Sequence, residues 1–114
     1  NNVFKYRLYQ EDCHLYKNTD ANVVEYLKDI NLFSNRSLKR KILLEHSPLN
    51  FVLSPDNIYQ IDKFHPDDYG KEEKDETFST LIQILDSIKN DEDVRNYLIN
   101  NFNLRQMAIN SKLL

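Results

Sequence analysis

The chain has 114 residues, 40% of them hydrophobic and 29% charged, with a formal net charge of −3. That length suits one domain with a real core, and the balance is too apolar for a disordered segment. The single cysteine excludes an internal disulfide framework, the single glycine excludes a glycine-rich phosphate loop, and no apolar run reaches the roughly 18 residues of a membrane span.

The chain begins with Asn1, so the expectation is an excised domain or a processed product in which no signal peptide remains. An intracellular location, cytoplasmic or nuclear, is the expectation. Residues 1–65 carry nine Lys/Arg against eight Asp/Glu, and residues 66–114 carry six against ten. Neither half is basic enough for a nucleic-acid binder held mainly by phosphate contacts.

Val3 to Tyr9 alternates, with Phe4, Tyr6 and Leu8 on one face and Lys5 and Arg7 on the other, which predicts a strand. Gln10 to Asp12 make a polar turn, and Cys13 to Lys17 return as the second arm of a hairpin, with His14 and Tyr16 outward. Asp20 to Asn31 predicts a helix, because Val23, Val24, Leu27 and Ile30 fall within an arc of about 120°. Asn35 to His46 suits a strand better than a helix, since its apolar residues spread around most of a helical wheel. Phe51–Leu53 and Ile58–Ile61 flank Ser54-Pro55-Asp56-Asn57, a type I turn with Pro at its second position, and so predict a short hairpin. His65 to Glu76 reads as a charged loop. Asp75 or Thr77 then caps a helix with Phe78, Leu81, Ile82, Leu85 and Ile88 inward, and a further helix starts near Asn90 with Val94, Tyr97, Leu98 and Phe102 inward.

Candidate chemistry is sparse. Cys13 and His14 are adjacent, but neighbours in a strand point to opposite faces and cannot act as a nucleophile–base pair. His65, Asp67 and Asp68 are oxygen and nitrogen donors without metal-ligand spacing, and turn chemistry accounts for them. No cofactor or metal set is predicted. Asn35-Arg36-Ser37 matches a glycosylation sequon, relevant only to a secreted chain. Arg36, Lys39, Arg40 and Lys41 are the densest local charge, suited to phosphates, to an acidic partner, or to guarding a solvated strand edge.

The order hairpin, helix, strand, hairpin over residues 3–63 is similar to the β-grasp order of ubiquitin-like folds. Within that class FKYRLYQEDCHLYKN, TDANVVEYLKDINL and NFVLSPDNIYQI resemble a Ras-association domain. The resemblance implies a basic face meeting a small GTPase, with Lys5 and Arg7 matching first-strand positions and Lys28 a helix position. His14 and Lys17 depart from its basic second strand.

The resulting expectation is a single α+β domain over residues 1–114: a ubiquitin-like β-grasp sheet with one central helix (3–63), a charged loop (64–76) and a C-terminal helical pair (77–114). Its expected function is a non-catalytic protein–protein interaction module of a signalling or scaffold protein, with no enzymatic activity, because no nucleophile has a base in a recognisable arrangement. Another protein is the expected partner, through Lys5, Arg7, His14, Tyr16 and Lys28; the resemblance names a small GTPase. One alternative is a winged-helix nucleic-acid-binding domain over residues 22–64, using Arg36, Lys39, Arg40 and Lys41. The other is docking or homodimerisation through the C-terminal helices.

Overall fold

A computed structural model of the chain describes residues 4–68 and 75–112. It is an α+β arrangement of two small sheets and three helices. Strands β1 (His14–Asn18) and β2 (Val23–Leu27) form an antiparallel hairpin with Tyr16 opposite Glu25 and His14 opposite Leu27. At the turn the Ala21 N–H donates to Asn18 Oδ1 at 3.1 Å, and Asn22 takes the left-handed conformation at φ 53°. Asparagine tolerates that conformation better than most residues.

This hairpin overturns two sequence expectations. Residues 23–27 form a strand, not the central helix, because VVEYL is β-branched and aromatic and finds a pairing edge in β1. Val23, Glu25 and Leu27 share one face and Val24 and Tyr26 the other, so the apolar positions of the helical arc are divided between the two faces of the strand. The partner strand assigned to residues 3–9 does not form over the described residues 4–9, which are exposed and lead into a 3-10 turn at Gln10–Asp12. Position 3 lies outside the described residues.

The second sheet pairs β3 (Leu43–Glu45) with β4 (Ile58–Gln60) in parallel, Leu43 opposite Ile58 and Leu44 opposite Tyr59. The connection between them runs through 3-10 turns at Pro48–Phe51 and Pro55–Asn57, so Phe51–Leu53 is not the hairpin arm predicted for it. The Asn57 N–H does close on the Ser54 carbonyl at 3.0 Å, the turn that Ser54-Pro55-Asp56-Asn57 predicts. Residues 38–40 form a 3-10 turn with the Ser37 hydroxyl accepting from the Lys39 N–H at 3.2 Å. The stretch from 36 to 46 therefore contains a turn and a short strand rather than a helix, which removes the recognition helix that a winged-helix domain needs.

Helices α1 (Thr77–Ile88), α2 (Arg95–Phe102) and α3 (Leu104–Asn110) cover the parallel sheet. Asn103, left-handed at φ 48°, separates α2 from α3. Strand β4 is the centre of the core. Its successive side chains point to opposite faces: Ile58 packs with Phe51 and Leu104, and Tyr59 packs with Leu81 and Leu98. The Tyr59 and Phe102 rings meet edge to face at 5.0 Å. Covering both faces is what a parallel pair needs, since its strands are buried on either side.

Leu27, Ile30, Leu81 and Leu98 are buried as their patterns predict, and Leu44 is half-buried. Phe4, Tyr6, Leu8, Leu15, Val24, Phe78, Ile82 and Leu85 are exposed instead. In α1 the apolar residues cover a wide arc, and only the part holding Leu81, Ile84 and Ile88 meets the core. Of the charged loop His65–Glu76, positions 69–74 lie outside the described residues. No helix among the described residues is long and apolar enough to cross a membrane.

Candidate functional site

The site grows from the last residue of β3. Glu45 follows the apolar run Ile42-Leu43-Leu44 and precedes Ser47-Pro48, which turns the chain away from the sheet. That turn aims two backbone donors back at the carboxylate. Glu45 Oε1 accepts from the N–H of His46 at 2.9 Å and of Ser47 at 3.0 Å. Oε2 accepts from Lys28 Nζ at 2.6 Å. The Glu45 side chain is 2% exposed and that of Lys28 is 51% exposed, so a buried anion holds an ammonium that still faces solvent. Burial alone would raise the Glu45 pKa, but the Lys28 hydrogen bond, the two backbone donors and the Lys28 charge together hold it below the ordinary carboxylate value.

Lys28 is positioned from its backbone as well. It follows β2 directly, and its N–H donates to Asn50 Oδ1 at 2.8 Å. Asn50, buried in the 3-10 turn after Pro48, donates through Nδ2 to Glu25 Oε1 at 3.3 Å. The Ser47 hydroxyl donates to the same oxygen at 2.8 Å. Two carboxylates, an amide, a hydroxyl and an ammonium thus lock the end of β2 to the carboxyl end of β3. Among the described residues no buried side-chain nitrogen or oxygen lacks a partner. Ligands of parallel sheets gather at the carboxyl ends of the strands, and Glu45 occupies such an end.

A cavity of about 470 Å³ opens beside Lys28, walled by Tyr9, Tyr26, Ile30, Phe33 and Leu43. Its lining is mostly apolar, with Lys28 as its cation and Asp12 and Asp29 as its carboxylates. A divalent cation takes several hard oxygen ligands. Both Glu45 oxygens are already engaged, and among the described residues no three His, Cys, Asp or Glu side chains are grouped to hold a metal ion. These residues by themselves do not compose a cation site.

The residues singled out from sequence scatter around this centre. Lys28 lies at its heart. Lys5 and Arg7 are exposed, with the Lys5 ammonium 5.6 Å from the Tyr6 ring centroid. His14 and Tyr16 sit on β1, exposed and half-buried respectively. In the basic cluster, Arg40 donates to the carbonyls of Asp91 at 2.5 Å and Lys89 at 2.8 Å. Lys41 Nζ donates to the Ile30 carbonyl at 3.2 Å, and Lys39 lies 3.8 Å from the Glu92 carboxylate. Arg36 is exposed. Cys13 is half-buried and its thiol contacts the Tyr9 carbonyl at 3.8 Å. Glu45, Glu25 and Asn50 were not legible as a site. One signal was present: an acidic residue ending an apolar run just before Ser-Pro.

A family model for NLI interacting factor-like phosphatases matches residues 1–95. The chain is 36% identical over 107 residues to "CTD small phosphatase-like protein 2" of Dictyostelium discoideum, covering 94% of this chain and 17% of that protein. It is 33% identical over 93 residues to the "Probable C-terminal domain small phosphatase" of the same organism, covering 82% and 26%. It is 30% identical over 66 residues to "Phosphatase Herzog" of Drosophila melanogaster, covering 58% and 17%. No solved structure matches the chain. The chain spans between a sixth and about a quarter of the length of these curated relatives. These matches replace the Ras-association resemblance, and with it the ubiquitin-like scaffold and GTPase-binding reading. They also overturn the expectation of a non-catalytic interaction module without enzymatic activity. The alternation in FKYRLYQEDCHLY carried the wrong family because short alternating segments occur in many folds.

Proposed function

We propose, for a chain that belongs to the NLI interacting factor-like phosphatase family, that the Lys28–Glu45 pair is the phosphate-handling part of a phosphate-monoester-hydrolysing site. One observation carries this reading. A carboxylate with 2% of its side chain exposed is fixed by two backbone N–H groups and holds a half-exposed ammonium at 2.6 Å. Glu45 therefore spends its charge on orientation, and the half-exposed Lys28 ammonium lines the cavity, in company with Asp12 and Asp29. An ammonium is a compact point charge with three donors. Held there, it meets a phosphoryl group without reorganising and offsets the charge that builds on the phosphoryl oxygens during transfer. Glu45, Asn50 and Glu25 act as positioning residues that set where the ammonium stands.

Hydrolysis of an aryl phosphate by the intact protein tests the central assignment. Lys28→Met lowers kcat/KM by about 10²–10³-fold, the loss typical of one charge-stabilising donor. Unchanged hydrolysis in a folded Lys28→Met protein refutes the assignment.

A further inference from the structure

We propose that a second groove, beside the Lys28 cavity, binds acidic side chains that flank the phosphorylated residue of a polypeptide substrate. The inference rests on reading Lys28 as the phosphate end. The groove has a volume of about 410 Å³ and lies between the segment at Lys5 and Tyr6 and the stretch from Ile30 to Leu43. Four cations line it, Lys5, Arg36, Arg40 and Lys41, and no carboxylate does. In a chain of net charge −3 such a lining runs against the overall balance.

None of the four is neutralised by an ion pair among the described residues. Arg40 and Lys41 are tethered to main-chain carbonyls, which fixes their positions and leaves their charge in place. Lys5 and Arg36 stand on the exposed rim. Ile30, Phe33 and Leu43 line this groove and the Lys28 cavity alike, so the two are neighbours across one apolar wall. A polypeptide crossing that wall would place its phosphate at Lys28 and its acidic side chains among the four cations. Charge complementarity of this kind selects partners and speeds encounter more than it adds affinity.

Binding, rather than turnover, tests this without mixing the two sites. Fluorescence anisotropy compares a labelled phosphoserine peptide flanked by Asp and Glu, the same peptide flanked by Ala, and the unphosphorylated form of each. The acidic flanks tighten binding at least about fivefold, an effect reduced by added salt. Lys5→Glu/Arg36→Glu abolishes that preference and keeps the benefit of the phosphate; both residues are on the rim, so thermal unfolding stays at the wild-type temperature. Lys28→Met does the reverse, removing the phosphate benefit and keeping the flank preference. A flank preference without any phosphate benefit in the wild type refutes the Lys28 centre and leaves the groove standing. Equal binding of acidic and Ala-flanked peptides, a preference that survives the double reversal, or equally tight capture of a single-stranded RNA overturns the groove.

Discussion

Replacing Glu45 by Gln isolates what the buried charge contributes. The Gln amide oxygen still accepts from the N–H groups of His46 and Ser47, so the turn into Pro48 keeps its donors satisfied. The amide NH₂ then faces Lys28 Nζ, where Oε2 accepts at 2.6 Å in the wild type. A charge-assisted hydrogen bond contributes about 1.5–3 kcal/mol. Lys28 is half exposed, so solvent screening reduces this to about 1–2 kcal/mol. The sign of the pH dependence follows from the direction of the shift. The folded-state pKa of Glu45 is depressed, so its stabilisation is present above the unfolded value of about 4.3 and is lost as pH falls through the lower folded value. Urea unfolding of both proteins near pH 7 and again near pH 3 reads this directly. Other carboxylates, Asp75 and Asp93 among them, titrate in both proteins and cancel in the difference. The gap should be largest at neutral pH and close in acid. A gap below about 0.3 kcal/mol at neutral pH, within the scatter of surface substitutions, refutes the argument, as does a gap that stays constant with pH.

Leu98→Ala, at a position 1% exposed against Tyr59 and Leu81, should cost about 2–5 kcal/mol in chemical denaturation, while Ile82→Ala on the exposed face of α1 stays within about 0.5 kcal/mol. Similar losses at the two positions would mean that α1 packs by a different face. Asn57→Ala leaves the carbonyls of Leu38 and Lys41 without the amide that donates to them at 2.6 and 2.9 Å, and should cost about 1–3 kcal/mol. Its effect should appear first as faster hydrogen exchange at Lys39–Lys41, and uniform loss of protection throughout the chain would contradict that local role.

Local chemistry was the legible part of this fold. Asp75 Oδ1 accepts from the Thr77 N–H at 2.9 Å at the start of α1, so Asp75 supplies the expected side-chain acceptor from one residue before the cap position, which Glu76 holds. The Ser54–Asn57 turn is likewise fixed by residues within it. Val23 to Leu27 has the helical arc of Val23, Val24, Leu27 and Ile30, and pairing with β1 overrides that local period. The alternation of Phe4, Tyr6 and Leu8 was real, but these side chains are exposed, so alternation did not identify a buried face. The site was the least legible. Glu45 meets Lys28 across 17 positions and Asn50 meets Glu25 across 25, separations that no motif window spans. Lys28 was marked for the wrong reason, as one of several cations on an outer face, because its buried partner could be found only once β2 and β3 were brought together.

Titration of the isotopically labelled chain with inorganic phosphate, followed by NMR, addresses the phosphate-handling centre most directly. The account predicts saturable shifts of the Lys28 ammonium resonance and of the His46 and Ser47 amides that share Glu45 with it, with Leu98 and Phe51 unmoved, and their disappearance in Lys28→Met. Shifts no larger than those produced by chloride at the same ionic strength would contradict it.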